Sequence, residues 1–163
     1  MKSTFSTLVF ILLLSMQSQA QLVQGFIKIK EQSKVELNAP SGKAVNLYAD
    51  FRENKYPIVF SFTCVDVPLN EEKKEVVQFS FVTTVKRDGK VIGTSKRNPI
   101  PFFPGDMFMP SETFDFISIL SNLASNTPEQ ISQIPKGAYE ITVEAIPQGI
   151  KGKIQPAVFF LKL

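Results

Sequence analysis

The sequence contains no histidine, so neither a Ser-His-Asp nor a Cys-His catalytic arrangement, nor an ordinary zinc site, can be built from it. It contains one cysteine, Cys64, so no disulfide can form within the chain. Charge is sparse and nearly balanced, with 18 Lys and Arg against 15 Asp and Glu and a formal net charge of +3. The basic residues are scattered, with short pairs at Lys73-Lys74, Lys86-Arg87 and Lys96-Arg97. Nucleic-acid binding requires a concentrated basic stripe, so no nucleic-acid partner is expected. A calcium loop requires clustered oxygen ligands, and the nearest stretch, Val67 to Glu75, carries Lys73 and Lys74 among its acids. No metal or other cofactor is implied. Without disulfides or metals, the chain must be held by its core. Fifteen phenylalanines are the obvious means, since each ring can bury about 150–250 Å².

The one long apolar run lies at the start. Lys2 precedes an apolar block from Phe5 to Met16, and Ser18 and Ala20 then place small side chains before Gln21. That layout predicts a secretory signal peptide over residues 1–20, cut after Ala20, and a periplasmic or secreted protein. The block is shorter than the roughly 20 residues that span a bilayer. Residues 21–163 then read as one domain with no membrane span.

The dominant period beyond that point is two. Ile27 and Ile29 alternate with lysines, Ile58, Phe60, Phe62 and Cys64 with Val59, Ser61, Thr63 and Val65, and Tyr139, Ile141, Val143 and Ala145 with Glu140, Thr142 and Glu144. Val45, Leu47, Ala49 and Phe51 show the same alternation. Each predicts a strand with one face in a core. Asp88-Gly89 predicts a two-residue hairpin turn that pairs Arg87 with Lys90 and Val85 with Ile92, in a hairpin from about Glu75 to Lys96. The final AVFFLKL is apolar on both faces apart from Lys162, as a central or covered strand would be.

The period changes at Phe116, Ile119, Leu120 and Leu123, which predicts one short helix over about 112–124 with Ser111 or Thr113 as its cap. Thr127-Pro128-Glu129-Gln130 predicts a second helical turn. About seven or eight strands with little helix predict an antiparallel β-sandwich. The stretch from Thr127 to Ala145 sets Gly137 and Tyr139 before an alternating strand. It resembles the corner leading into the sixth strand of immunoglobulin-like domains, where a tyrosine hydroxyl bonds back to the corner. The resemblance implies an immunoglobulin-like fold and carries no function. The antibody-type Cys…Trp…Cys pattern is absent.

No catalytic constellation stands out. Glu140 and Glu144 share a strand parity and Asp66 lies near a strand end, but alternating Glu and Thr is also what a solvated sheet face looks like. Cys64 shares parity with Phe60 and Phe62 and is expected to be buried and inert. The stretch from Arg97 to Pro110 holds Pro99, Pro101, Pro104 and Pro110, each lacking a ladder donor, and is expected to be a crossing loop. Its base, with Phe102, is expected to pack under the helix together with Phe114. Its tip, Phe103, Met107, Phe108 and Met109, is expected to form a contact surface, with methionine adapting to a partner's shape. The stretch from Ala145 to Ala157, with Lys151 and Lys153, is expected to be a flexible hairpin connection, with contact to an acidic partner as the functional alternative. The expected function is therefore a non-enzymatic exported domain that binds another protein or an envelope component. The alternatives are a subunit or chaperone of a surface polymer assembling through an exposed strand edge, and an inhibitor offering a loop to a protease.

Overall fold

The computed structural model describes residues 22–38, 47–123 and 135–162. The signal segment and the turn expected at Thr127–Gln130 lie outside the described residues. In chain order the elements are β1 (Leu22–Ile29), β2 (Lys34–Asn38), α1 (Leu47–Arg52), β3 (Ile58–Val65), β4 (Val77–Arg87), β5 (Lys90–Lys96), β6 (Ile100–Phe102), β7 (Gly105–Met109), α2 (Phe116–Leu123), β8 (Ala138–Pro147), β9 (Lys151–Gln155) and β10 (Ala157–Lys162). A 3₁₀ turn, Ser111–Phe114, precedes α2. The protein is all-β in character, with a four-stranded sheet in the order β7-β3-β1-β9 and a second sheet in the order β2-β10-β8-β4-β5, to which β6 is added on β4. No helix among the described residues is long and apolar enough to cross a membrane.

The alternating residues hold the two sheets together. Ile27, Phe60 and Phe62 of the first sheet and Phe79, Phe81, Ile141, Val143 and Phe159 of the second are all buried. Across the interface Phe60 meets Phe79 at 5.0 Å between ring centroids and Phe81 at 5.5 Å, both edge to face. Phe62 meets Phe79 at 4.7 Å. Such T-shaped pairs contribute about 0.5–1.5 kcal/mol beyond their buried area. The strand β10 is interior to its sheet, between β2 and β8. Its second face is not covered, since Phe160 is exposed.

The stretch around Leu47 and Phe51 is a helix, not the strand its alternation predicted. The period-two run over residues 45–51 also places residues 47 and 51 four apart, on one helical face. Asn54, with φ of 59°, ends the helix in the left-handed conformation. The Phe51 ring packs on Phe116 at 4.7 Å and Phe159 at 5.6 Å.

The predicted helix over 112–124 is split. Residues 111–114 form the 3₁₀ turn without a side-chain cap, Asp115 takes φ of 55°, and α2 begins at Phe116. Asp115 is held by Ser95, whose hydroxyl donates to it at 2.8 Å, and by an ion pair to Arg97. Phe114, Phe116 and Leu120 are buried and Ile119 packs against the core, so the turn and α2 close one end of the interior. Phe114 meets Phe81 edge to face at 5.5 Å.

The hairpin turn has the expected geometry, with Asp88 at φ 48° and Gly89 at φ 80°, and Arg87 pairs with Lys90. The register then departs from expectation. A bulge between Val85 and Lys86 sets Val85 opposite Gly93 instead of Ile92. Gly93 lies directly under α2, where an added Cβ would stand 2.4 Å from the Ile119 side chain.

The proline-rich stretch does cross between the sheets, but it is not a bare loop. β6 pairs with β4 in one sheet, and β7 pairs with β3 in the other. Pro99, Pro104 and Pro110 fall outside the two strands, and Pro101 sits in a three-residue edge strand. Proline is tolerated there because an edge strand has one unpaired side. Likewise the supposed connection after Ile146 contains β9, which pairs in parallel with β1 from Leu22 opposite Lys151 to Phe26 opposite Gln155. Tyr139, at the head of β8, donates its hydroxyl to the Pro135 carbonyl at 2.6 Å, as its place in the corner predicted.

Candidate contact surface

The outer face of the four-stranded sheet is assembled from residues of opposite parity to the core. The registers place Lys28, Val59 and Phe108 in one row. Gln155, Phe26, Ser61 and Asp106 form the next, followed by Lys153, Gln24 and Thr63, and then Lys151, Leu22 and Val65. All but Phe103 of the residues proposed from sequence on two separate loops therefore lie on one sheet. Phe108 is on the edge strand β7, and Lys151 and Lys153 are on the opposite edge strand β9.

The face is apolar and basic together. Phe108 is 76 % exposed, Val65 55 % and Leu22 38 %. Three of its side chains are lysines and one is an acid, Asp106, which accepts a hydrogen bond from the Ser61 hydroxyl. The Lys28 ammonium stands 4.3 Å from the centroid of the Phe26 ring, a cation–π contact. A shallow depression of about 560 Å³ lies across the middle strands, lined by Gln24, Phe26, Ser61, Thr63, Lys153 and Gln155, with Gly25 and Phe62. Gly25 has no room for a side chain, because a Cβ there would lie 2.1 Å from the Ser61 carbonyl oxygen. β1 and β3 thus approach closely beneath the depression.

Not every residue of the expected tip is on this surface. Met109 is buried and Met107 half-buried, both facing the core with the parity of Phe60 and Ile58, their partners on β3. Strand geometry sends alternate side chains to opposite faces, so a strand over 105–109 could present Phe108 only by burying its neighbours. Phe103 is 52 % exposed, at the crossing between β6 and β7, with the Lys74 ammonium 5.7 Å from its ring centroid. Phe102 is half-buried and packs edge to face on Phe60, Phe79 and Phe81. A second hollow of about 320 Å³ opens at the end of β7, where Phe51, Tyr56, Ile58 and Met109 lie beside Phe108.

The carboxylates do not converge. Glu140 pairs with Lys86 at 2.7 Å on the outer face of the other sheet. Among the described residues no group of three Cys, Asp or Glu side chains is placed to hold a metal ion.

Cys64 is half-buried, not fully buried as its parity predicted, because it lies one residue from the end of β3. Burial, with Glu75 adding repulsion, raises its thiol from the ordinary 9.0 to about 11. The raised value makes its contribution to stability fully present below pH 9.0 and lost as pH rises through about 11. Since the thiolate is the nucleophile, a thiol reagent near neutral pH is expected to label the native protein much more slowly than the denatured chain. Cys64→Ala is expected to cost about 1 kcal/mol. Equal labelling rates in the two states would contradict this placement.

No family of known proteins matches the chain, and no curated protein matches its sequence.

Of the surface residues, Gln24, Phe26, Ser61, Thr63 and Gln155 were not singled out from sequence. The signal for four of them was present in the strand parity, which puts them opposite Ile27 and Phe60. What the chain does not display is that β9 and β7 flank these strands.

Proposed function

We propose that this is an exported, non-enzymatic binding domain whose contact surface is the outer face of the four-stranded sheet. The partner is another protein or an envelope component. The single observation that carries the reading is Phe108, which is 76 % exposed on a strand edge and shares a face with exposed Leu22 and Val65. Phe108 stands beside the part-exposed Val59, with Phe26 in the next row, and exposed apolar side chains bordered by polar groups mark interaction sites. Lys28, Lys151 and Lys153 favour a partner with negative charge. The signal segment read at residues 1–20 supports action in a periplasm or outside the cell.

An immunoglobulin-like arrangement belongs to the same proposal. It is supported by the sheet order β2-β10-β8-β4-β5 facing β7-β3-β1, by the parallel pairing of β2 with β10, and by the Tyr139 bond to Pro135 at the start of β8.

The test is a pair of substitutions. Phe102→Ala removes a ring packed on three others and is expected to lower stability by about 3 kcal/mol. Phe108→Ser is expected to change stability by about 0.5 kcal/mol or less and to weaken capture of the partner in native envelopes. If Phe108→Ser unfolds the protein, or leaves capture intact, the surface is not the binding site.

A further inference from the structure

We infer that β7 pairs with β7 of a second copy of this chain, antiparallel about Met107, joining two four-stranded sheets into one of eight strands. The inference goes beyond the binding reading, because it names a partner for one edge of the sheet and not for its face.

Edges of sheets carry unpaired backbone groups, and proteins normally block them with lysine or proline. The other edges here follow that rule. β9 carries Lys151 and Lys153, β2 carries Lys34, β5 carries Lys90 and Lys96, and β6 carries Pro101. β7, with the sequence Gly105-Asp106-Met107-Phe108-Met109, carries neither, and among the described residues its only strand neighbour is β3. Pro104 and Pro110 stand just outside it, so they limit a partner to these five residues without blocking them.

The occupant follows from the strand itself. Paired antiparallel about Met107, Met109 lies opposite Gly105 of the other copy, where an added Cβ would meet nothing within 4 Å. An inward methionine thus faces the residue that has no side chain. On the outer face Phe108 lies opposite Asp106 of the other copy, and the two Phe108 rings are diagonal neighbours, within reach of each other at about 7–8 Å. The pairing is isologous and closes on itself. A five-residue strand falls well short of the roughly 1,600 Å² of a standard interface. The dimer is therefore reversible and depends on concentration. Its effect is to place two basic, apolar faces side by side, with the Lys151 and Lys153 edges at the far ends.

Sedimentation of the purified protein tests the assembly, and cysteine crosslinking in a Cys64→Ala background tests the register. The expected result is a reversible shift from monomer to dimer mass with rising concentration. Met107→Cys is expected to form a disulfide-linked dimer on oxidation, because facing residues in an antiparallel pair have Cα atoms about 4.5–5.5 Å apart, within disulfide range. Phe108→Cys, although more exposed, is expected to crosslink more slowly, because its copies are diagonal. Phe108→Asp is expected to abolish the dimer by setting carboxylates opposite each other, while Phe108→Lys, whose ammonium lies opposite Asp106, is expected to weaken it less. A monomer mass at every concentration overturns the inference. So does crosslinking at Phe108→Cys as fast as at Met107→Cys, or equal loss of dimer with Asp and with Lys. Failure of the dimer with capture still weakened by Lys151→Glu and Lys153→Glu would leave the binding reading standing. A dimer without any captured partner would leave this one standing instead.

Discussion

Phe60→Ala is expected to cost about 3–5 kcal/mol of folding stability, the range for truncating a buried phenylalanine. Phe60 has no exposed surface and its ring meets Phe62, Phe79, Phe81 and Phe102, at centroid separations of 5.0 to 5.5 Å. It is the ring that joins the two sheets at their centre. Domains are stable by only about 5–15 kcal/mol in total, and this one has no disulfide to fall back on. A large fall in the denaturant midpoint with little change of slope is the expected observation. A loss below about 1 kcal/mol, as a surface change would give, would mean that the sheets are not packed through this cluster.

Phe116→Ala is the second large effect, expected at about 3 kcal/mol or more. Phe116 is fully buried between Phe51, at 4.7 Å, and Phe159, at 5.0 Å, so it ties α2 to α1 and to β10 at once. Its loss should open one end of the interior before the rest. Amide exchange should therefore accelerate first in α2 and around Phe114, and later in β3 and β4. Ser118→Ala, on the exposed side of α2, should leave both stability and exchange unchanged. If Phe116→Ala leaves exchange in α2 unaltered, the helix does not act as a lid.

How much of this could be read from the chain depended on the strand. β3, β4 and β8 were legible because each has a buried and an open face for at least six residues, and burial of one face is what writes a period of two into a sequence, whereas β10 was legible only as a short apolar run. The Asp88-Gly89 turn was legible because few dipeptides accept positive φ at both positions. The bulge at Val85 was not, and the Gly93 that it sets opposite Val85 lies under Ile119, a contact between elements far apart in sequence. β6, β7 and β9 were missed because they are three to five residues long and rich in glycine or bordered by proline. Their strand form comes from the neighbour they pair with. α1 was misread because Val45, Leu47, Ala49 and Phe51 fit a strand pattern, while the four-residue spacing of 47 and 51 fits one face of a helix turn equally well.

The candidate contact surface was partly legible for the same reason. Phe108 and the lysines of β9 drew attention as unusual residues in irregular stretches. That they share one face depends on the order β7-β3-β1-β9, which arises from pairings between strands distant in the chain. The assignment of Met107 and Met109 to the tip failed once the segment became a strand, because alternation then sends them inward.

The central claim is that the outer face of the four-stranded sheet is where this protein meets its partner. A photoreactive side chain at Phe108, compared with the same group at Phe160, tests it most directly. Both are exposed phenylalanines on outer strand faces, but Phe160 lies on the other sheet. Irradiation in intact cells is predicted to give a defined adduct from position 108 and none from position 160. Equal adducts from the two positions, or an adduct from position 160 alone, would contradict the account.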